Sequence, residues 1–168
     1  MSGRLTLNPF KHMSWLGALM LLLFGFGYAK PVPVNTNNFK NYKRDMSFVS
    51  LAGIITNIIL AFISTLLYVV SAKYLTSGNF FALFIIYFFY MFSIYNISLA
   101  VFNILPIYPL DGFNFVMTFV KDKGRFLQFS IRYGVYIMIG VIVAFSWLLS
   151  DLNYIIFNGL TSMWGLLF

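Results

Sequence analysis

The sequence predicts an all-α, polytopic membrane protein, and three observations support this. Of its 168 residues, 61% are hydrophobic and only 9% are charged, which is more apolar surface than a soluble domain of this length can bury. Apolar runs long enough to span a bilayer alternate with short polar stretches. Because the basic side chains lie in these stretches, membrane topology explains the net charge of +7, and nucleic acid is not expected as a partner.

The chain is predicted to form one membrane domain over residues 1–168, with the lipid bilayer as its surroundings. It contains no cysteine, so disulfides and thiolate metal sites are excluded. Any metal would therefore be bound by His, Asp, Glu or Asn side chains.

Residues 1–47 are predicted to form an interfacial or re-entrant region. The apolar run 14–28 is about 22 Å long as a helix, which is shorter than a bilayer. It could be a signal-peptide core, a short span or a re-entrant element. We favour the re-entrant element because Pro31 and Pro33 exclude a helix and predict a short extended segment near 28–36.

Two transmembrane helices are predicted, over residues 48–72 and 80–104. Each contains 25 residues without a charge, which gives about 37 Å of helix, enough to cross a bilayer with tilt. The basic loops 30–46 and 121–132 then fall on the same side of the membrane. The excess of Lys and Arg places both loops in the cytoplasm.

Asn57 lies on the first of these helices, four residues after Gly53, so both occupy one face. The face could serve helix packing, with a small residue for close approach and an amide between helices. Alternatively, Asn57 points a hydrogen-bond donor into a site.

Residues 105–120 are predicted to form a loop and a short helix that follow the second span. Pro106 and Pro109 break the helix near its end, and Asp111 follows. An ionisable group at membrane depth is a candidate functional residue, because burying its charge costs about 3 kcal/mol or more. Turn chemistry and the dipole of a helix start are the alternative explanation for Asp111.

The C-terminal residues 131–168 form further apolar segments. Asp151 and Asn153 predict a turn between them. Whether this region crosses the membrane once or twice is left open.

Four segments taken together resemble the site-2 protease family, peptidase M50, whose members are intramembrane zinc metalloproteases. The segments occur in the family's order and with suitable spacing, and together they cover residues 3 to about 120. They are GRLTLNPFKH (3–12), GYAKPVPVN (27–35), LAGIITN (51–57) and NILPIYPLDG (103–112).

The resemblance implies a role for three residues. It implies that Asp111 is the third zinc ligand and that Asn57 and Asn103 lie on the substrate or oxyanion side. It further implies zinc as cofactor, a membrane protein or peptide as substrate, and hydrolysis in or near the bilayer by a zinc-bound water with a Glu base. The expected location is the plasma membrane of a prokaryote.

The sequence departs from the family pattern in its ligand set. The family's His-Glu-x-x-His helix is absent, there is no glutamate, and His12 is the one histidine. His12 could be a ligand, but a structural hydrogen-bonding role is the more common one for a lone histidine. We therefore expect a site-2-protease-like core that is N-terminally truncated, has an incomplete zinc site and is inactive alone.

Two other functions stay open at this point. The chain could be a non-catalytic pseudoprotease that binds membrane segments without cutting them. It could also be a small transporter-like protein with its site at the proline-broken helix.

Overall fold

The computed structural model describes residues 38–75, 78–120 and 124–167. The chain divides into two compact units, Met1–Phe39 and Lys40–Phe168, and all the helices given below belong to the second unit. The predictions for His12, for the apolar run 14–28 and for the extended segment near 28–36 lie outside the described residues.

The described part of the second unit consists of helices and turns, which confirms the all-α prediction. Its helices are α1 (Tyr42–Tyr74), α2 (Phe80–Asn103), α3 (Asp111–Met117) and α4 (Gly124–Gly165). Among these, α1, α2 and α4 are long and apolar enough to cross a membrane.

Helix α1 begins six residues before the predicted start at residue 48, and its polar first turn is held by two side-chain caps. Asn41 Oδ1 accepts a hydrogen bond from the backbone N–H of Arg44 at 3.3 Å. Asp45 Oδ2 accepts from the N–H groups of Lys40 at 2.8 Å and Asn41 at 3.0 Å. These bonds satisfy N–H groups at the helix start, so a turn rich in charge is helical rather than a loop.

Helices α1 and α2 run antiparallel and pack through small residues. Ser93 Oγ lies 3.0 Å from Ser64 Oγ, and Ile97 packs in one cluster with Ala61. Thr65 is fully buried and donates a hydrogen bond to the Ala61 carbonyl at 2.7 Å. Small side chains allow helices to approach closely in a membrane, and hydroxyl groups add hydrogen bonds between them.

The extent of helix α4 shows that two of our predictions are wrong. Residues from 124 onward are helical, so the basic loop predicted over 121–132 is wrong for most of its length. The turn predicted at Asp151 and Asn153 is also wrong, because both residues lie inside the helix. The break in α4 instead falls at Phe145, whose φ of −118° and ψ of 18° are not helical.

The second half of α4 crosses the α1–α2 pair. Asn153 Nδ2 donates to Ser98 Oγ on α2 at 2.8 Å, whereas the Trp164 ring contacts Phe62 on α1 with ring centroids 4.6 Å apart. In the register set by the serine pair, Ser98 and Phe62 lie at nearly the same height. Asn153 and Trp164 are about 16 Å apart along α4, so this half lies across α1 and α2 rather than along them.

Candidate functional site

The proline segment between α2 and α3 is a chain of tight turns. The N–H of Leu105 donates to Phe102 O at 3.2 Å, that of Ile107 to Leu105 O at 2.8 Å, and that of Leu110 to Ile107 O at 2.8 Å. The Tyr108–Pro109 peptide bond is cis. Helix α2 ends at Asn103, as the prolines predict, and these turns lead the chain into Asp111 at the start of α3.

Gly112 fixes the start of α3 against the end of α2. A methyl group at Gly112 would lie 2.6 Å from the Leu105 oxygen and 2.6 Å from the Ile104 carbonyl carbon. No side chain fits there, because both obstacles are backbone atoms that cannot rotate away. The glycine thus determines where the neighbouring Asp111 carboxylate is held.

Helix α4 closes the other side of the proline segment through a second glycine. A methyl group at Gly134 would lie 2.7 Å from both Cβ and O of Tyr108. The Tyr108 ring in turn meets the buried Phe113 ring of α3 edge to face, with centroids 5.7 Å apart. The loop is therefore held between α3 and α4.

The carboxylate of Asp111 lies against Gly53 of α1. A methyl group on Gly53 would lie 3.0 Å from Asp111 Oδ2, so the missing side chain is what lets the carboxylate approach the α1 backbone. Within the described part of the chain, no hydrogen bond or ion pair reaches the Asp111 side chain. Partial burial raises the pKa of the Asp111 carboxyl above its ordinary value, because desolvation disfavours the charged form.

The two candidate asparagines lie near this contact on different helices. Asn57 is half-buried and lies one turn beyond Gly53, about 6 Å along the axis of α1. Asn103 is the half-buried last residue of α2 and precedes Ile104, whose carbonyl group packs beneath Gly112. Gly53, Asp111 and the end of α2 are thus brought together, with Asn57 one turn away.

Sequence reasoning missed one polar residue on this part of α1. Ser50, about one turn before Gly53, is 2% exposed, and its Oγ has no hydrogen-bond partner within the described residues. A serine in an apolar helix normally donates to a carbonyl of its own helix. The sequence carries no signal for this exception, because Ser50 looks like any other small residue on a packing face.

The described residues do not complete a zinc site. A catalytic zinc ion takes about three protein ligands. Within residues 38–75, 78–120 and 124–167, no three His, Cys, Asp or Glu side chains lie close enough together to hold a metal ion. Among the described residues, Asp111 is thus a single candidate ligand, and a zinc site would need partners from elsewhere.

Known proteins similar to this chain indicate its family. A family model described as Peptidase family M50 matches residues 69–146, a range that includes the proline segment and Asp111. A protein of Bacillus subtilis (strain 168) named "Putative zinc metalloprotease YwhC" is 40% identical over 124 residues, which are 73% of this chain and 57% of that relative. The chain thus spans little more than half of the relative's length. No solved structure matches.

Proposed function

Because the chain belongs to peptidase family M50, the site-2 protease family, we propose that it forms part of a zinc metallopeptidase that cleaves peptide bonds in or near the bilayer. One observation supports this most directly. The Asp111 carboxylate has no partner within the described residues and is held against the glycine of α1. A charge left in this state fits a ligand that awaits a cation better than it fits a structural residue.

In the proposed site, one residue of this chain would bind the zinc ion and the others would position that ligand or the substrate. Asp111 supplies one anionic ligand, and Gly112 fixes its position against the end of α2. Asn57 and Asn103 lie on the substrate side, where side-chain amides can donate to and accept from an extended peptide backbone. These roles would place the substrate between the middle of α1 and the end of α2.

The remaining ligands are proposed to come from residues outside this sequence. The chain contains no glutamate and one histidine, so it cannot supply both His ligands and the Glu base of the family's His-Glu-x-x-His motif. We therefore propose that the chain alone does not hydrolyse peptides, and that activity requires a helix carrying His-Glu-x-x-His.

A co-expression experiment tests this function. The chain is produced in membranes alone, or with a transmembrane segment that carries His-Glu-x-x-His, together with a membrane-anchored reporter. We expect no cleavage by the chain alone and chelator-sensitive cleavage by the pair. Asp111→Ala should abolish cleavage, whereas the matched control Asp151→Ala, at an exposed aspartate of α4, should not.

Two results would overturn the proposal: cleavage by the chain alone, or equal cleavage by the pair with and without Asp111. A second candidate function, a non-catalytic pseudoprotease, is favoured by the incomplete ligand set of the described residues. It predicts that the reporter co-purifies with the chain and is not cleaved even when the added segment is present.

The protein is an integral membrane protein, and we propose that it crosses the plasma membrane of a prokaryote several times. The proposed topology places the basic residues in the stretches 30–46 and 121–132 on the cytoplasmic side. The chain has no native cysteine, so single cysteines at Lys43 and Gly78 can be labelled from either side. Lys43 should react from the cytoplasm and Gly78 from outside, and labelling of both from one side would contradict the topology.

A further inference from the structure

Ser50 is the exception among the hydroxyl side chains of α1. The other five serines and threonines of this helix each donate to a carbonyl three or four residues earlier: Ser47, Thr56, Ser64, Thr65 and Ser71. Ser50 is 2% exposed, and its Oγ has no hydrogen-bond partner within the described residues. The Ser50 hydroxyl is therefore closed to bulk water and is not bonded to its own helix.

Burial alone does not explain this exception. Ser64 is also 2% exposed, and its hydroxyl is satisfied by the Ala61 carbonyl at 3.1 Å. A buried hydroxyl without a hydrogen bond costs free energy that an alanine in its place would avoid. Helix packing would be served as well by alanine, so the hydroxyl of Ser50 needs another explanation.

Ser50 lies beside the contact between Gly53 and Asp111. Because Ser50 precedes Gly53 by three positions, the two are neighbours on α1, with about 5–6 Å between their Cβ positions. Asp111 Oδ2 lies 3.0 Å from the position that a Cβ would take on Gly53. The carboxylate therefore lies within about one turn of Ser50, and it too has no hydrogen bond or ion pair within the described residues.

The side chains of Ser50 and Asp111 are chemically matched. A hydroxyl carries one donor, an ionised carboxylate only accepts, and a hydrogen bond to a charged group is stronger than a neutral one. Asn57 is another donor near Gly53, but it is half-buried, so water can reach its amide. Ser50 is the donor that bulk water does not reach.

We propose that Ser50 is a positioning residue whose hydroxyl donates a hydrogen bond to the Asp111 carboxylate and sets its rotation against Gly53. Rotation about the χ angles of the two side chains forms this bond. The inference rests on the proposed function, in which Asp111 binds zinc. Metal-binding carboxylates are themselves usually hydrogen-bonded, and the loss of such a partner lowers metal affinity about 10–100-fold.

Infrared spectroscopy of the aspartate carboxyl groups tests the hydrogen bond without zinc. The chain is produced with isotopically labelled aspartate and reconstituted in lipid nanodiscs with a transmembrane peptide that carries His-Glu-x-x-His. The band that is lost in Asp111→Asn belongs to Asp111. Ser50→Ala should shift this band, and Ser64→Ala, at an equally buried serine of α1, should not. An unmoved band in Ser50→Ala would overturn the inference.

The zinc affinity of the same chain–peptide pair tests the positioning role. It is measured by competition with a chromophoric chelator. Ser50→Ala should lower the affinity about tenfold or more, whereas Ser50→Thr, which keeps the hydroxyl, should retain most of it. Ser64→Ala is the matched control and should bind zinc as the unmodified chain does. Equal affinities of Ser50→Ala and the unmodified chain would overturn the positioning role.

The unfolding midpoint of the chain alone in mixed detergent distinguishes positioning from packing. Ser50→Ala should not lower the midpoint, because it removes a buried polar atom that has no partner within the described residues. Ser64→Ala should lower it, because a hydrogen bond is lost. A larger loss in Ser50→Ala than in Ser64→Ala, with unchanged zinc affinity, would make Ser50 a packing residue and the inference wrong.

Asp111→Asn separates this inference from the proposed function. If Asp111→Asn loses zinc while Ser50→Ala changes neither the infrared band nor the affinity, the inference fails and the proposed function stands. If Asp111→Asn keeps its zinc while Ser50→Ala shifts the band, the proposed function fails and only the hydrogen bond remains.

Discussion

Two of the close contacts that helix α1 makes with other elements differ in whether their polar groups have hydrogen-bond partners. At the serine contact, Ser64 and Ser93 bond each other at 3.0 Å, and each is within hydrogen-bond reach of a carbonyl of its own helix, Ala61 O at 3.1 Å and Phe89 O at 2.7 Å. At the carboxylate contact, Asp111 lies against Gly53, and the Asp111 side chain has no hydrogen bond or ion pair within the described residues.

From this difference we infer which small residues of α1 serve helix packing and which make room for a polar group. Polar groups in a membrane are normally satisfied, since an unpaired one costs several kcal/mol. The serine contact follows this rule and is explained by helix association. Among the described residues the carboxylate contact does not follow it, as expected if Asp111 is the proposed metal ligand.

Gly112→Ala, next to the carboxylate contact, should lower the stability of the protein most. The added methyl group would lie 2.6 Å from two backbone atoms at the end of α2, so α3 would have to move. We expect a loss of about 3 kcal/mol of stability or more, the upper end of overpacking costs, measured by unfolding in mixed detergent. Gly140→Ala on α4, with open space around it, should be neutral or stabilising. Equal effects of the two would show that the packing around Gly112 is wrong.

Ser93→Leu tests the serine contact and should have an intermediate effect. Ser93 is fully buried between α1 and α2, so the larger side chain separates the helices and costs about 2 kcal/mol. Ser93→Ala removes only the hydrogen bond and should cost about 0.6 kcal/mol. The same unfolding measurement checks both. If Ser93→Leu were tolerated as well as Ser93→Ala, the helices would not be in close contact there.

Gly53→Ala should have the smallest effect on stability and a clear effect on function. The new methyl group would lie 3.0 Å from a flexible carboxylate oxygen, which can shift by a few tenths of an ångström, and alanine favours the helix by about 1 kcal/mol. Stability should therefore change by less than about 1 kcal/mol. Cleavage by the co-expressed pair should fall about tenfold, because small displacements of catalytic groups are costly. Ser93→Ala should keep full cleavage, and a reversal of this pattern would refute the comparison.

The sequence predicted the elements of the core better than their ends. The uncharged runs identified α1 and α2, and the prolines placed the end of α2. The start of α1 was misplaced because Lys43, Arg44 and Asp45 look like a loop, although Asn41 and Asp45 are good capping residues. In α4, Asn153 suggested a turn, but its amide bonds Ser98 of α2 instead of a nearby backbone group.

The candidate site was predictable only in part. Asp111 and Asn57 stood out as polar residues within apolar surroundings, and the resemblance gave them roles. The proximity of Asp111 to Gly53 was not predictable, because the two are fifty-eight positions apart in the sequence and tertiary packing alone brings them together. The non-helical conformation of Phe145 has no local cause in the sequence, since no proline lies near it.

The zinc content of the assembled site decides whether Asp111 is a metal ligand. The purified chain is reconstituted in lipid nanodiscs with a transmembrane peptide that carries His-Glu-x-x-His, and zinc is counted by elemental mass spectrometry after gel filtration. We expect about one zinc per chain–peptide pair for the unmodified chain and for Asp151→Asn, because three ligands are then present. Asp111→Asn should lose the bound zinc. Equal zinc in all three samples, or none in any of them, would contradict the assignment of Asp111 as a metal ligand.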